Sequence, residues 1–134
     1  MRYITGTTAL NIMVPGRSVP GWHSYGLVNI AAWQWAGINV RSTDHLLGNL
    51  DLYDATAVLR RYAPETPGGT LAANYERAVF DLLFDSVSRG RPVPNYQAKD
   101  IDDAVDFKKV TRWIESVDLP FEHQAVMLGW LSRI

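Results

Sequence analysis

Charge is spread very unevenly along this chain. Residues 1–43 carry three charged side chains, Arg2, Arg17 and Arg41, and the 91 residues after them carry the other 24. A segment that poor in charge is badly solvated on its own, so something must cover it: either the rest of the chain or another molecule. The material for a packed core is present, since 47% of the 134 residues are hydrophobic and 20% are charged. The length suits one folding unit, so residues 1–134 are read as a single domain, with 1–43 packed on a helical part over 54–134. The formal net charge of −1 offers no basic field, so nucleic acid is not expected as a partner. The chain has no cysteine, which excludes a disulfide scaffold, a thiolate nucleophile and a Cys-type metal site.

The opening Met1-Arg2-Tyr3-Ile4-Thr5-Gly6 lacks the basic start and apolar run of a secretory signal. The charge-free stretch over 19–40 contains Pro20, His23, Ser24, Asn29, Gln34 and Asn39, all of which a bilayer helix would have to satisfy. No membrane span is expected, and a cytoplasmic location is.

The second part of the chain reads as helices. Asp54 is placed to cap a short helix over 55–62, which Pro64 ends. Thr70 is then read as the cap of a long helix. Its apolar face is Leu71, Tyr75, Ala78, Val79, Leu82, Leu83 and Val87, spaced by threes and fours. Gly90 is expected to close it in a left-handed conformation, and Pro92 forbids continuation. Another helix is predicted over 101–117, and a last one after Asp118-Leu119-Pro120, read as a cap followed by a first-turn proline. The short link makes these two helices neighbours. Ahead of them, a short helix is predicted over 7–12 and strands over 23–30 and 38–41, while periodicity leaves 31–36 undecided. The fold class expected is mainly α: a small helical domain with a short irregular β element near the N-terminus.

No local motif announces a reaction. The three histidines, His23, His45 and His123, form no metal-binding pair. The acids Asp100, Asp102, Asp103 and Asp106 lack the glycine and closing glutamate of a calcium loop, and suit the first turns of a helix instead. Pro67-Gly68-Gly69-Thr70 has no following lysine, so it reads as a helix-capping loop before a phosphate cradle. Arg60-Arg61 and the Arg89/Arg91 pair sit near helix C-termini, where the dipole favours cations. Catalytic residues, cofactors and metals are therefore expected to be none. Asn74, Arg77 and Asp81 share one side of the long helix, where Arg77 and Asp81 can pair; anchoring a neighbouring loop is the favoured role. The remaining feature is aromatic. Trp22, His23, Tyr25, Trp33 and Trp35 crowd the low-charge segment, either as core or as anchors of an interface.

Three stretches carry a resemblance: Arg2-Tyr3-Ile4-Thr5-Gly6 with Ala9-Leu10-Asn11-Ile12, then Gly21-Trp22-His23-Ser24, then Ala72-Ala73-Asn74-Tyr75-Glu76-Arg77-Ala78-Val79-Phe80-Asp81-Leu82-Leu83. Together they resemble small bacterial proteins encoded beside nucleotidyltransferase-like toxins of the abortive-infection type. The chain departs from them at Tyr75, where relatives carry His, and in its apolar stretch over 26–40. The resemblance implies an antitoxin-like or accessory role. The expectation is a non-enzymatic interaction protein that occludes a toxin surface, with aromatic anchors from 22–35 and polar definition from Asn74, Arg77 and Asp81. Its partner would be a protein, such as a toxin, or a second copy of the chain. The alternative is a small enzyme or ligand-binding protein with a pocket around His23, Asn74, Arg77 and Asp81.

Overall fold

Helix α4 (Tyr75–Arg89) touches elements from both parts of the chain in the computed structural model, which describes residues 2–21, 25–94 and 96–132. The helix begins where the Asn74 side chain, on extended backbone, accepts the Arg77 N–H. It ends as expected at Gly90, with φ +66° and its N–H on the Ser86 carbonyl.

The expected start at Thr70 is corrected by four residues. Thr70 caps nothing; its hydroxyl donates to the Pro67 carbonyl, and Leu71–Ala73 is a strand, β2. Strand β2 pairs antiparallel with β1 (Leu52–Asp54), with Tyr53 opposite Ala72. On its other side Ile4 donates to the Leu71 carbonyl at 2.9 Å and accepts from Ala73 at 2.8 Å. The helical spacing of Leu71 and Tyr75 is genuine, but both neighbours claim the backbone groups of 71–73, and a helix there would forfeit those bonds. Beyond Ile4, Thr5 donates to Gln34 and Ala36 donates to Tyr3, so the small sheet is continued by bridges from the low-charge segment.

The N-terminal part otherwise departs from expectation. Helix α1 is Gly6–Ala9, shorter than 7–12. Where a strand was expected over 23–30, Tyr25–Val28 and Ile30–Ala32 are single 3₁₀ turns, and His23 lies outside the described residues. Asn29 closes the second turn by accepting the Ala31 N–H, and the Trp33 indole N–H donates to the Leu27 carbonyl. No strand forms over 38–41. The N–H groups of Ile38, Asn39 and Val40 all converge on the Trp35 carbonyl, which folds the chain into a tight turn with Gly37 at φ +82°. Helix α2 (Asp44–Leu47) was not foreseen, and α3 (Thr56–Leu59) is half the expected length.

The helix expected over 101–117 is two helices, α5 (Ala98–Ile101) and α6 (Phe107–Ser116). The interruption has a tertiary cause. Arg17 and Glu76 form a two-pronged ion pair; Arg17 also donates to the Ala104 carbonyl, and Glu76 accepts the Asp106 N–H at 3.0 Å. Those two backbone groups are thereby withdrawn from any continuous helix, and the Asp106 carboxylate caps a new one through Lys108 and Lys109. Helix α7 (Phe121–Leu131) follows Pro120 directly; Asp118 does not cap it. Helices α6 and α7 pack on each other and both on α4. One continuous core joins Tyr3, Ile4, Leu10 and Trp33 to Phe80, Leu83, Ile114 and Met127. The class is mainly α with one short two-stranded sheet, and no helix among the described residues is long and apolar enough to cross a membrane.

Candidate functional site

The side chains singled out on α4 come together, but in the interior. Arg77 and Asp81 are both 0% exposed and pair at 3.3 Å. The Asp81 carboxylate accepts the Tyr3 hydroxyl at 2.7 Å, the Thr5 hydroxyl at 2.7 Å and the Thr43 hydroxyl at 2.6 Å. Arg77 donates to the Leu50 carbonyl at 2.7 Å and to the Tyr3 oxygen at 3.1 Å, and lies 3.6 Å from Asp44. Burial pushes the Asp81 carboxyl above its ordinary range, while the Arg77 charge and the three hydroxyls act against that. Burial likewise raises the Tyr3 phenol.

Every donor aimed at Asp81 is a group of the chain itself, and three of the four come from the low-charge segment. The cluster therefore works as a clamp between that segment and α4. Asn74 spends its carbonyl on the helix cap. Arg77 and Asp81 are fully buried and line neither of the two clefts described below. Tyr75 is a second clamp: its hydroxyl donates to Ile12 at 2.7 Å and accepts from Val14 at 3.0 Å, with Arg17 stacked 4.7 Å above its ring.

The aromatic residues divide. Trp33 is core, 2% exposed, with its indole N–H satisfied. Trp35 is half-buried; its ring lies 6.2 Å from that of Trp33, and the Arg2 guanidinium stacks on it at 4.7 Å. Trp22, His23 and the side chain of Tyr25 lie outside the described residues. Trp35 borders an open groove of about 650 Å³, whose other walls are Ile30, the exposed Ile38, Arg2 and the Gly68-Gly69 loop. That loop, read from sequence as a helix cap, instead shapes this groove, with Gly69 at φ +75°. Nothing in the local pattern of Arg2 or Ile38 marks them, because the bridges from Ile4 and Ala36 bring them together.

A second cleft, of about 590 Å³, lies between the C-terminal half of α4, residues 91–93 and 96–97, and α7. Val87, Val93, Met127 and Trp130 line it, with Arg91, Glu122 and His123. Glu122 and His123, adjacent on α7, both border this cleft. The acidic run is spent on local structure: Asp100 accepts the Gln97 N–H and Asp106 caps α6. Among the described residues no three His, Asp or Glu side chains gather as a metal would require. His45 packs edge-on against Phe84 at 5.8 Å. No protein-family model matches the chain, and comparison with curated proteins and with solved structures finds no match.

Proposed function

We propose that this is a non-enzymatic bacterial interaction protein, an antitoxin-like or accessory partner of a nucleotidyltransferase-like toxin, that acts in the cytoplasm. Two things support the reading: the resemblance of the Arg2–Gly6 and α4 stretches to proteins encoded beside such toxins, and the groove at Trp35. The observation that carries the docking role is that the half-buried Trp35 and Ile30 and the exposed Ile38 border an open cleft whose one charged side chain among the described residues, Arg2, is already stacked on Trp35. An aromatic anchor beside a cation is the composition of an interface hot spot. The buried side chains Arg77 and Asp81 are engaged with each other and with groups of residues 3–5 and 43–50.

Co-purification with a nucleotidyltransferase-like toxin of the abortive-infection type tests it. Trp35→Ala and Ile38→Asp are expected to keep the far-ultraviolet circular dichroism of the parent and to weaken the complex at least about tenfold each, the scale of one hot-spot side chain. Trp33→Ala is expected to lower stability instead, since that ring is core. A complex unchanged by both groove variants, or no complex at all, removes the reading.

A further inference from the structure

The groove at Trp35 is one-sided in its polar chemistry. Arg2 is its only charged side chain among the described residues, and no aspartate or glutamate lines it there. The exposed Arg2 guanidinium lies over the Trp35 ring at 4.7 Å and makes no hydrogen bond or ion pair with any described residue. The ring contact holds the charge in place, and the five N–H donors of the guanidinium fork remain for an acceptor from outside. The Trp35 indole N–H also has no partner among the described residues, unlike that of Trp33, and it is not enclosed. Asn39 spends its side-chain oxygen on the Trp35 backbone N–H, which leaves its NH₂ to donate. Arg2, Trp35 and Asn39 thus all offer donors, beside the apolar side chains of Ile30 and Ile38.

We infer that this groove recognises an acidic segment of the partner protein: one carboxylate of that segment pairs with Arg2, and the apolar side chain next to it lies on Ile30 and Ile38. The inference rests on the docking role proposed above and adds the partner's chemistry to it. Charge complementarity selects the occupant. A cation with no counter-charge in its own chain is matched by an anion, and donors are matched by acceptors. A carboxylate flanked by apolar side chains supplies the acceptor oxygens and the apolar surface together, and a carboxylate is the acceptor that the guanidinium fork fits with two parallel bonds. Because Arg2 is already held on Trp35, binding costs it less rotamer freedom than a free surface arginine would lose. A basic segment would set like charge against Arg2. Nucleic acid fits worse, since it calls for several cations along its phosphates, and the groove offers one in a chain of net charge −1.

The probes are three acetylated and amidated peptides of five residues: glycine, leucine, a central residue, leucine and glycine, the centre being aspartate, asparagine or lysine. Each is titrated into the full chain labelled with nitrogen-15, and the Trp35 indole N–H signal, assigned by its absence in Trp35→Phe, is followed by NMR. The aspartate peptide is expected to shift that signal saturably with a dissociation constant of about 1 mM. The lysine peptide is expected to bind at least about tenfold more weakly, with asparagine between them. In Arg2→Glu the order is expected to reverse, and in Arg2→Met to vanish. The inference is overturned if no peptide moves the Trp35 signal, if asparagine or lysine binds as tightly as aspartate, if inorganic phosphate shifts the signal as strongly as the aspartate peptide, or if Arg2→Glu keeps the parent's order. The peptide comparison on the parent chain needs no variant, so it decides even where an Arg2 substitution disturbs the fold. It is also separable from the docking role itself. A toxin complex that forms equally with the parent and with Arg2→Glu keeps that role and removes this inference, whereas aspartate selectivity without any toxin complex removes the toxin as partner and leaves the groove's preference standing.

Discussion

Asp81→Asn removes one charge from the interior and strands another. The Arg77 guanidinium is 0% exposed and loses its only fully buried counter-charge, keeping the Leu50 carbonyl at 2.7 Å and Asp44 at 3.6 Å. Breaking a buried pair by removing one partner costs about 3–5 kcal/mol. The retained contacts of Arg77 argue for the lower end. The asparagine oxygen still accepts one or two of the three hydroxyls, but its amide NH₂ meets the others donor to donor until they rotate. The expected loss is thus about 3 kcal/mol, or a fall in Tm of roughly 9–15 °C for a domain of this size. Urea unfolding at pH 7, followed by circular dichroism and by tryptophan fluorescence, measures it. Thr5→Val, which removes one donor and leaves both charges, is expected to cost about 1–2 kcal/mol. The double variant Arg77→Met with Asp81→Leu is expected to be more stable than Asp81→Asn, because it leaves no uncompensated charge. A loss below about 1 kcal/mol for Asp81→Asn, or a double variant no better than the single one, refutes the clamp.

Gly90→Ala is expected to destabilise by about 1 kcal/mol, because φ is +66° there and a Cβ is strained in the left-handed region although space is open around it; thermal unfolding checks this, and an unchanged midpoint contradicts it. Tyr53→Phe is expected to be neutral or stabilising by up to about 1 kcal/mol, since the Tyr53 hydroxyl is buried with no hydrogen-bond partner among the described residues; a clear loss of stability means that a partner exists. Hydrogen bonds from the Thr56 hydroxyl and N–H hold the Asp54 carboxyl below its ordinary value. Its contribution is present above about pH 4 and is lost as pH falls through the lowered value, so the stability difference between the parent and Asp54→Asn shrinks on acidification; a difference constant from neutral pH into the acid range contradicts this.

What was legible in the sequence is what short-range chemistry decides. The apolar face of α4 from Tyr75 onward, its left-handed close at Gly90, the helical character of 107–116 and 121–131 and the pairing of Arg77 with Asp81 all follow from spacing and local residue type. What was illegible depends on groups far apart in the chain. The strand at 71–73 exists because Ile4 and β1 take its backbone bonds, and no periodicity in Leu71-Ala72-Ala73 announces a partner 67 residues away in sequence. The break between α5 and α6 is imposed by Arg17 and Glu76, which look like ordinary surface charges in a linear reading. The clamp was half visible: Arg77 and Asp81 share a helix face, but Tyr3, Thr5 and Thr43 carry no mark of the carboxylate they serve. The Trp35 groove was visible as aromatic crowding and invisible as a shape, since Arg2 and Gly68 reach it through the sheet bridges.

The clamp explains how the first 43 residues manage with three charges. Three of their hydroxyls, on Tyr3, Thr5 and Thr43, are satisfied on Asp81, and their buried apolar side chains share one core with α4, so solvation by charge is not required of them. Apolar surface stays open where covering is incomplete, at the Trp35 groove and along α7. These two places share no lining residue: the groove is built from 2, 30–39 and 67–71, and the α7 cleft from 83–98 and 122–130. Sites with no shared side chains and no common element are expected to behave additively. Trp35→Ala is expected to weaken the proposed partner complex at least about tenfold, and Val126→Glu, at the α7 cleft, to leave it unchanged. Loss of partner binding in Val126→Glu would mean that the two surfaces act as one.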